Sequence, residues 1–298
     1  MAPLEIETQN QADLQPDILI TIGGMVVSKK IKFYLREHKA KNHFHLGKTT
    51  ANDTFFYLTQ HIDAPAASTL SSLDIGNKSN YQSNVLSHYN RYLETAAGFL
   101  KKVPFSDLRV FNMITTALPQ NTHLQVANSS AVRYLQLFDL PTGTEVYCNR
   151  GTAGIDGSTA TAIGAAQINT KQTVLITGDL SFFYDINGLW NSYIPNDARI
   201  IVINNQGGGI FRILPGEKDT PKYDTYFETI HNRSARNVAK SFGLGYKRVQ
   251  TNWGLKQALK SFFKPSTKSK ILEIYTPRKI NNLVLLDYFK AMVKNELN

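Results

Sequence analysis

Thr173-Val174-Leu175-Ile176-Thr177-Gly178-Asp179-Leu180-Ser181 and Ile201-Val202-Ile203-Asn204-Asn205-Gln206-Gly207-Gly208-Gly209 decide how this sequence folds. Each is an apolar run of strand length that ends in oxygen-bearing side chains and glycine. A helix-length segment separates them, as in consecutive parallel strands, whose trailing loops meet at one edge of a sheet. Asp179 offers a carboxylate, Asn205 an amide oxygen and Gly207 a backbone carbonyl. These are hard oxygen donors of the kind Mg²⁺ takes, and Mg²⁺ commonly shares phosphate oxygens with its protein ligands. The glycines let backbone approach a diphosphate without a Cβ in the way. A helix after Ser181 would turn its positive N-terminus toward the same group. Two ordinary strand-to-helix turns are the other reading of these loops.

The rest of the chain repeats the alternation. Strands are expected at 17–22, 43–46, 124–127, 145–148, 173–177, 199–204 and 270–275. Helices are expected from Lys29 to Arg36 with Ser28 as cap, and over 81–102, 108–118, 130–133, 158–167, 184–194, 232–242 and 253–262. Residues 63–80 read as a loop. The class is therefore α/β, a mostly parallel sheet covered on both faces. A boundary is expected between residues 104 and 105, giving units 1–104 and 105–298. Loops 128–133, 149–157, 178–181 and 205–209 all follow strands, so they are expected to share one crevice.

Composition narrows the function. The 298 residues are 42% hydrophobic and hold one cysteine, Cys148. That rules out an internal disulfide framework and suits a reducing compartment such as the cytoplasm. No apolar run reaches the ~18 residues of a membrane span. Residues 1–13 are polar and acidic, unlike a secretory signal. The formal net charge of +10 favours anionic partners. Without a dense Lys/Arg tract or a nucleic-acid motif, it reads as a solvated surface and not as a nucleic-acid binder. His43-x-His45 has metal-ligand types but no evident third ligand, and reads as a polar strand face.

Gly178-Asp179 followed by Asn204-Asn205 resembles the cofactor signature of thiamine-diphosphate-dependent decarboxylases and synthases. Three flanking stretches narrow it: Asn149-Arg150-Gly-Thr-Ala-Gly-Ile155-Asp-Gly157, Gly178-Asp-Leu-Ser-Phe-Phe-Tyr-Asp-Ile-Asn187 and Asn205-Gln-Gly-Gly-Gly-Ile-Phe211. They resemble the 2-succinyl-5-enolpyruvyl-6-hydroxy-3-cyclohexene-1-carboxylate synthase family of menaquinone biosynthesis, densely over 106–276 and thinly over 15–60. The resemblance implies a diphosphate-binding domain preceded by part of a Rossmann-like central domain. It implies thiamine diphosphate with Mg²⁺ or Mn²⁺, and 2-oxoglutarate and isochorismate as substrates. It carries metal roles onto Asp179, Asn205 and Gly207. Cofactor roles fall on Gly154, Ile155, Gly178, Leu180, Ser181 and Gly208, with Ile155 propping the cofactor. Leu180 stands where many relatives have glycine.

Substrate roles fall on Ser129, Arg133 and Arg150, and on Lys29 and Lys30, where Lys30 replaces an arginine frequent in the family. Both substrates are dicarboxylates, which suits Arg clamps. Taken alone, Ser129 reads as a helix cap, Arg133 as a surface residue, Lys29 and Lys30 as a solvated helix face, and Ile155 as core. The family's catalytic glutamate lies in a pyrimidine-binding domain that this chain is expected to lack, and comes from a neighbouring subunit. No catalytic residue is assigned here. The chain alone is expected to be inactive and the whole protein a homo-oligomer. Residues 1–100 are expected to be less ordered than 106–276, or covered by a partner chain. Two alternatives remain: another thiamine-diphosphate enzyme of the acetolactate-synthase type, or a non-catalytic module that kept the fold.

Overall fold

The computed structural model describes residues 14–294 except 25, 27, 49, 75, 77, 78, 215–219 and 221. The reading of residues 1–13 lies outside the described residues. The chain divides into two units, residues 1–99 with 288–298, and residues 100–287.

The first unit is a small parallel sheet of β1 (Ile18–Ile22), β2 (Asn42–Leu46) and β3 (Gln60–Ile62), in that order. Helix α1 (Lys29–Glu37) follows β1, and the Ser28 hydroxyl accepts the Ile31 N–H at 3.3 Å as its cap. A core of Leu14, Tyr34, Leu35 and Phe55 lies beneath it. His43 and His45 are buried, and both hydrogen-bond the Thr21 hydroxyl, at 2.9 and 3.0 Å. Their strand face is thus interior. Among the described residues no group of three or more His, Cys, Asp or Glu is placed to hold a metal. Ile18, Ile20 and Ile22 are exposed on the edge strand β1. Residues 63–80 are not all loop, since helix α2 spans Ala66–Ser71. Pro65 precedes its first turn, where a missing N–H costs nothing. Helix α3 (Tyr81–Lys102) follows.

The second unit is a six-stranded, all-parallel sheet in the order β5-β4-β6-β7-β9-β8. The strands are β4 (His123–Val126), β5 (Glu145–Tyr147), β6 (Thr173–Gly178), β7 (Arg199–Asn204), β8 (Gly245–Val249) and β9 (Lys270–Tyr275). Central β7 is buried along its whole length, as a strand covered on both faces must be. One face packs against α6 (Ser158–Ile168), α7 (Asp179–Tyr184) and α8 (Ala235–Ser241) through Ala162, Ile163, Phe182, Ala235 and Ala239. Helices α4 (Asp107–Ala117), α5 (Ser130–Leu135), α9 (Asn252–Phe262) and α10 (Asn281–Lys294) complete the order. After β4 the chain steps outward to β5, then returns to the other side of β4 as β6. The carboxyl ends of β4 and β6 therefore form a topological switch point, where open α/β sheets bind ligands.

The helix expected at 184–194 is not formed. The chain instead forms α7, a 3₁₀ turn at Ile186–Leu189, and irregular backbone to β7. Gly188 passes so close to α6 that a Cβ would lie 2.7 Å from the Ala160 nitrogen. Asp185 accepts the Ala160 N–H at 2.7 Å, and Pro195 bars a regular helix beyond. Strands β3 and β8 and helices α2 and α10 are additions to the sequence reading. Among the described residues no helix is long and apolar enough to cross a membrane.

Candidate active site at the switch point

The carboxyl ends of β4, β6 and β7, with the loop after β5, enclose a cavity of about 350 Å³. Its lining includes Ser129, Gly154, Ile155, Gly178, Asp179, Leu180, Ser181, Asn205, Gly207 and Gly208. The metal and cofactor candidates are thus gathered in one place. Of the substrate candidates only Ser129 lines it.

Asp179 is buried at the start of α7. Its Oδ1 accepts the Leu180 N–H at 2.7 Å, and its Oδ2 accepts the Gly207 N–H at 3.0 Å. The second bond ties the loop after β6 to the loop after β7. Asn205 is oriented from the opposite side. Its Nδ2 donates to Asp107 Oδ2 at 3.0 Å, which fixes the amide and leaves Oδ1 buried without a hydrogen-bond partner. A buried amide oxygen left without a donor is a cost in the absence of a ligand.

Asp107 was not singled out from sequence. It is buried at the N-terminus of α4, and accepts the Thr276 hydroxyl on Oδ1 at 2.6 Å. Burial pushes its carboxyl up to about 6, against the opposing hydrogen bonds from Thr276 and Asn205.

The glycine run is required by packing. Gly207 has φ +148°, and a Cβ there would lie 2.5 Å from the Glu228 carbonyl oxygen. That carbonyl accepts the Gly208 N–H at 2.6 Å. Glu228 is itself buried, paired bidentately with Arg212, and has Arg278 Nη1 at 3.1 Å. A charged cluster thus fixes the wall behind the glycines. The side chain of His231, also missed from sequence, is nearly buried with Nε2 3.3 Å from Asp179 Oδ2.

Asn128 organises the loop after β5. Its Nδ2 donates to the carbonyls of Asn149 and Gly154 at 2.7 and 2.6 Å, and its Oδ1 accepts from Arg150 Nη1 at 2.7 Å. Arg150 lies one residue behind the lining, and its Nε is buried without a partner. The Ser181 hydroxyl is committed to the Ile155 carbonyl at 2.6 Å. Ser129 makes no side-chain capping bond and has φ +68°. Together with Ala153 (φ +59°) it sets two non-glycine residues in left-handed backbone on the cavity wall. Such strain concentrates at ligand sites. Arg133 is exposed on α5. Lys29 and Lys30 are exposed on α1 in the first unit, with Lys30 Nζ 5.5 Å from the centre of the Phe289 ring.

The helix after β6 begins at Asp179 itself, not beyond Ser181, and its six residues leave little dipole to direct at a ligand. Backbone and side-chain groups of the loops make up the cradle.

Residues 128–274 match the family model of the thiamine pyrophosphate enzyme C-terminal TPP-binding domain. These residues form a thiamine pyrophosphate enzyme C-terminal domain. The chain is also homologous to proteins named 2-succinyl-5-enolpyruvyl-6-hydroxy-3-cyclohexene-1-carboxylate synthase. That of Flavobacterium psychrophilum is 48% identical over 287 residues, which are 94% of this chain and 51% of the relative. That of Flavobacterium johnsoniae is 44% identical over 283 residues, with the same coverage. That of Bacteroides fragilis is 36% identical over 288 residues, 95% of this chain and 51% of the relative. The chain spans about half the length of the curated relatives it matches.

The thiamine pyrophosphate domain supplies what a metal-bound diphosphate needs. Asn205 Oδ1 is buried without a hydrogen-bond partner, Asp179 supplies negative charge, and Gly207 lines the same cavity. With the Asp107 carboxylate taken up by Asn205 and Thr276, Asp179 is the one carboxylate left for a cation, whose shell neutral oxygens and phosphate would complete, the Mg²⁺ or Mn²⁺ pattern.

Proposed function

We propose that this chain provides the metal- and diphosphate-binding side of a thiamine-diphosphate- and Mg²⁺-dependent carboligase. The reaction is decarboxylation of 2-oxoglutarate and addition of the resulting four-carbon unit to isochorismate, a step of menaquinone biosynthesis. One observation carries the reading. Asp179, the uncommitted Asn205 Oδ1 and the Gly207–Gly209 backbone meet at the switch-point cavity. The names of the relatives support the choice of reaction.

When bound, thiamine diphosphate supplies an electron sink for cleavage and formation of carbon–carbon bonds. The chain's own residues bind, orient and exclude water. Asp179, Asn205 and the Gly207 carbonyl hold the cation. Gly178, Leu180, Ser181, Gly208 and Gly154 would form the cradle, and Ile155 would prop the cofactor. Arg150, Arg133, Ser129, Lys29 and Lys30 recognise substrate carboxylates. The buried, unpaired Arg150 Nε is a donor without an acceptor, which supports that role. The proton-transfer group of the reaction comes from outside this chain, in a homo-oligomeric whole protein. The exposed Ile18, Ile20 and Ile22 on β1 support burial of that edge by further polypeptide.

The test is substrate choice by the assembled, cofactor-loaded enzyme. CO₂ release from 2-oxoglutarate is expected to exceed release from pyruvate, and Arg150→Ala to raise KM for 2-oxoglutarate at least tenfold, the scale of one charge-assisted contact. A preference for pyruvate that Arg150→Ala leaves unchanged would favour the acetolactate-synthase type.

A further inference from the structure

Asn205 is oriented by Asp107, and Asp179 has a neighbour of its own. His231 Nε2 lies 3.3 Å from Asp179 Oδ2. His231 Nδ1 accepts the backbone N–H of Arg233 at 3.1 Å. A neutral ring that accepts on Nδ1 carries its proton on Nε2. That N–H is buried and makes no hydrogen bond among the described residues, and the Asp179 Oδ2 at 3.3 Å is the carboxylate oxygen it approaches. The ring is held edge to face by Phe183, with centroids 5.5 Å apart and planes at 88°. The His231 backbone N–H donates to the Gln206 carbonyl at 3.4 Å, which ties it to the glycine loop.

We infer that His231 is a positioning residue for the metal-binding carboxylate, its Nε2–H setting the plane of Asp179. The inference rests on the assignment of Asp179 as a metal ligand. A carboxylate that meets a cation with one oxygen lone pair is held best by a fixed donor on another. Leu180 and Gly207 supply backbone donors, and His231 brings a side-chain N–H within 3.3 Å of Oδ2, close enough to join them when a cation turns the carboxylate. It ties carboxylate orientation to the segment that packs on Gly207 and Gly208.

Two readouts test this in the full chain. Nitrogen-15 spectra of labelled histidine, taken without cofactor, are expected to show His231 as the Nε2–H tautomer, with a resonance that Asp179→Ala shifts. An Nδ1–H tautomer, or a resonance indifferent to Asp179→Ala, overturns the inference. Mn²⁺ affinity in saturating thiamine diphosphate, followed by electron paramagnetic resonance, is expected to fall about 10- to 100-fold in His231→Leu and His231→Asn. His231→Gln, whose amide nitrogen reaches the Nε2 position, is expected to recover most of it. The Asn and Gln variants decide the matter even if His231→Leu does not fold, because a purely structural role would not distinguish them by reach. Equal Mn²⁺ affinity in His231→Asn and His231→Gln overturns the positioning role. Asp179→Ala separates the two levels. Normal Mn²⁺ binding there refutes the metal assignment itself. Lost binding there with normal binding in His231→Asn refutes only the inference.

Discussion

The Asp107 carboxylate accepts a hydrogen bond from the Asn205 side-chain amide across 3.0 Å. Because Asp107 can only accept when ionised, it forces Asn205 to present nitrogen inward and oxygen to the cavity. Asp107→Asn sets an amide against an amide and allows Asn205 to turn over. Mg²⁺ affinity in the presence of thiamine diphosphate is expected to fall about tenfold or more, measured by titration calorimetry. An unchanged affinity would remove Asp107 from the site.

The same residue gives a pH dependence. Its folded pKa of about 6 exceeds the ~3.9 of an unfolded aspartate. The folded state therefore holds this proton more tightly. Its contribution to stability is complete below about pH 4 and is lost as pH rises through about 6. The gap between the folded and unfolded values corresponds to roughly 3 kcal/mol. Urea denaturation of metal-free protein is expected to show that decline, and Asp107→Asn to flatten it. Parallel pH profiles for the two proteins would contradict the account.

Gly207→Ala puts a methyl group 2.5 Å from the Glu228 carbonyl at φ +148°. The backbone atom cannot step aside as a flexible side chain would. A loss of about 2–4 kcal/mol is expected in chemical denaturation, the range for forced left-handed strain with overpacking. A loss under about 0.5 kcal/mol, the scale of a neutral surface change, would show that the loop re-forms freely.

Glu273 is a second fixed point behind the site. Its buried carboxylate accepts from Asn204 Nδ2, the Ala235 N–H, the Ser234 hydroxyl and the Tyr246 hydroxyl at 2.8, 3.0, 2.8 and 2.6 Å. It ties the end of β7 to the start of α8. Glu273→Ala strands four donors and is expected to cost about 3–5 kcal/mol in thermal or urea unfolding. Burial, reinforced by the bond to Glu273, pushes the Tyr246 phenol up to about 12. Its spectrophotometric titration is expected to move down in the same variant.

Elements with strong local signals were legible in the sequence. Ser28 caps α1 as expected, and α3 ends at Lys101-Lys102 before Pro104. Strands β6 and β7 were legible because each is a continuous apolar run that ends in polar residues. Strand β8 was missed because Gly245-Tyr246-Lys247-Arg248-Val249 lies at a sheet edge and is half-exposed. The expected helix at 184–194 failed because the close pass of Gly188 by Ala160 is a tertiary contact that no local pattern encodes. The site divides in the same way. Loop residues on the cavity wall stand next to glycines at strand ends and could be read. Asp107 and His231 come from distant positions in the sequence, Asp107 through its bond to Asn205 and His231 through its close approach to Asp179, and nothing in their neighbours marks them. Arg133, Lys29 and Lys30 carry charge suited to dicarboxylates, and each is exposed within its own unit.

The central claim is that Asp179 and Asn205 together hold the cation that binds the diphosphate. The most direct measurement is titration of thiamine diphosphate into wild type, Asp179→Ala and Asn205→Ala, each with and without Mg²⁺. Wild type is expected to bind tightly only with Mg²⁺, and both variants to lose that Mg²⁺-dependent gain. Cofactor binding that is equally strong with and without Mg²⁺, or that survives both substitutions, would contradict the claim.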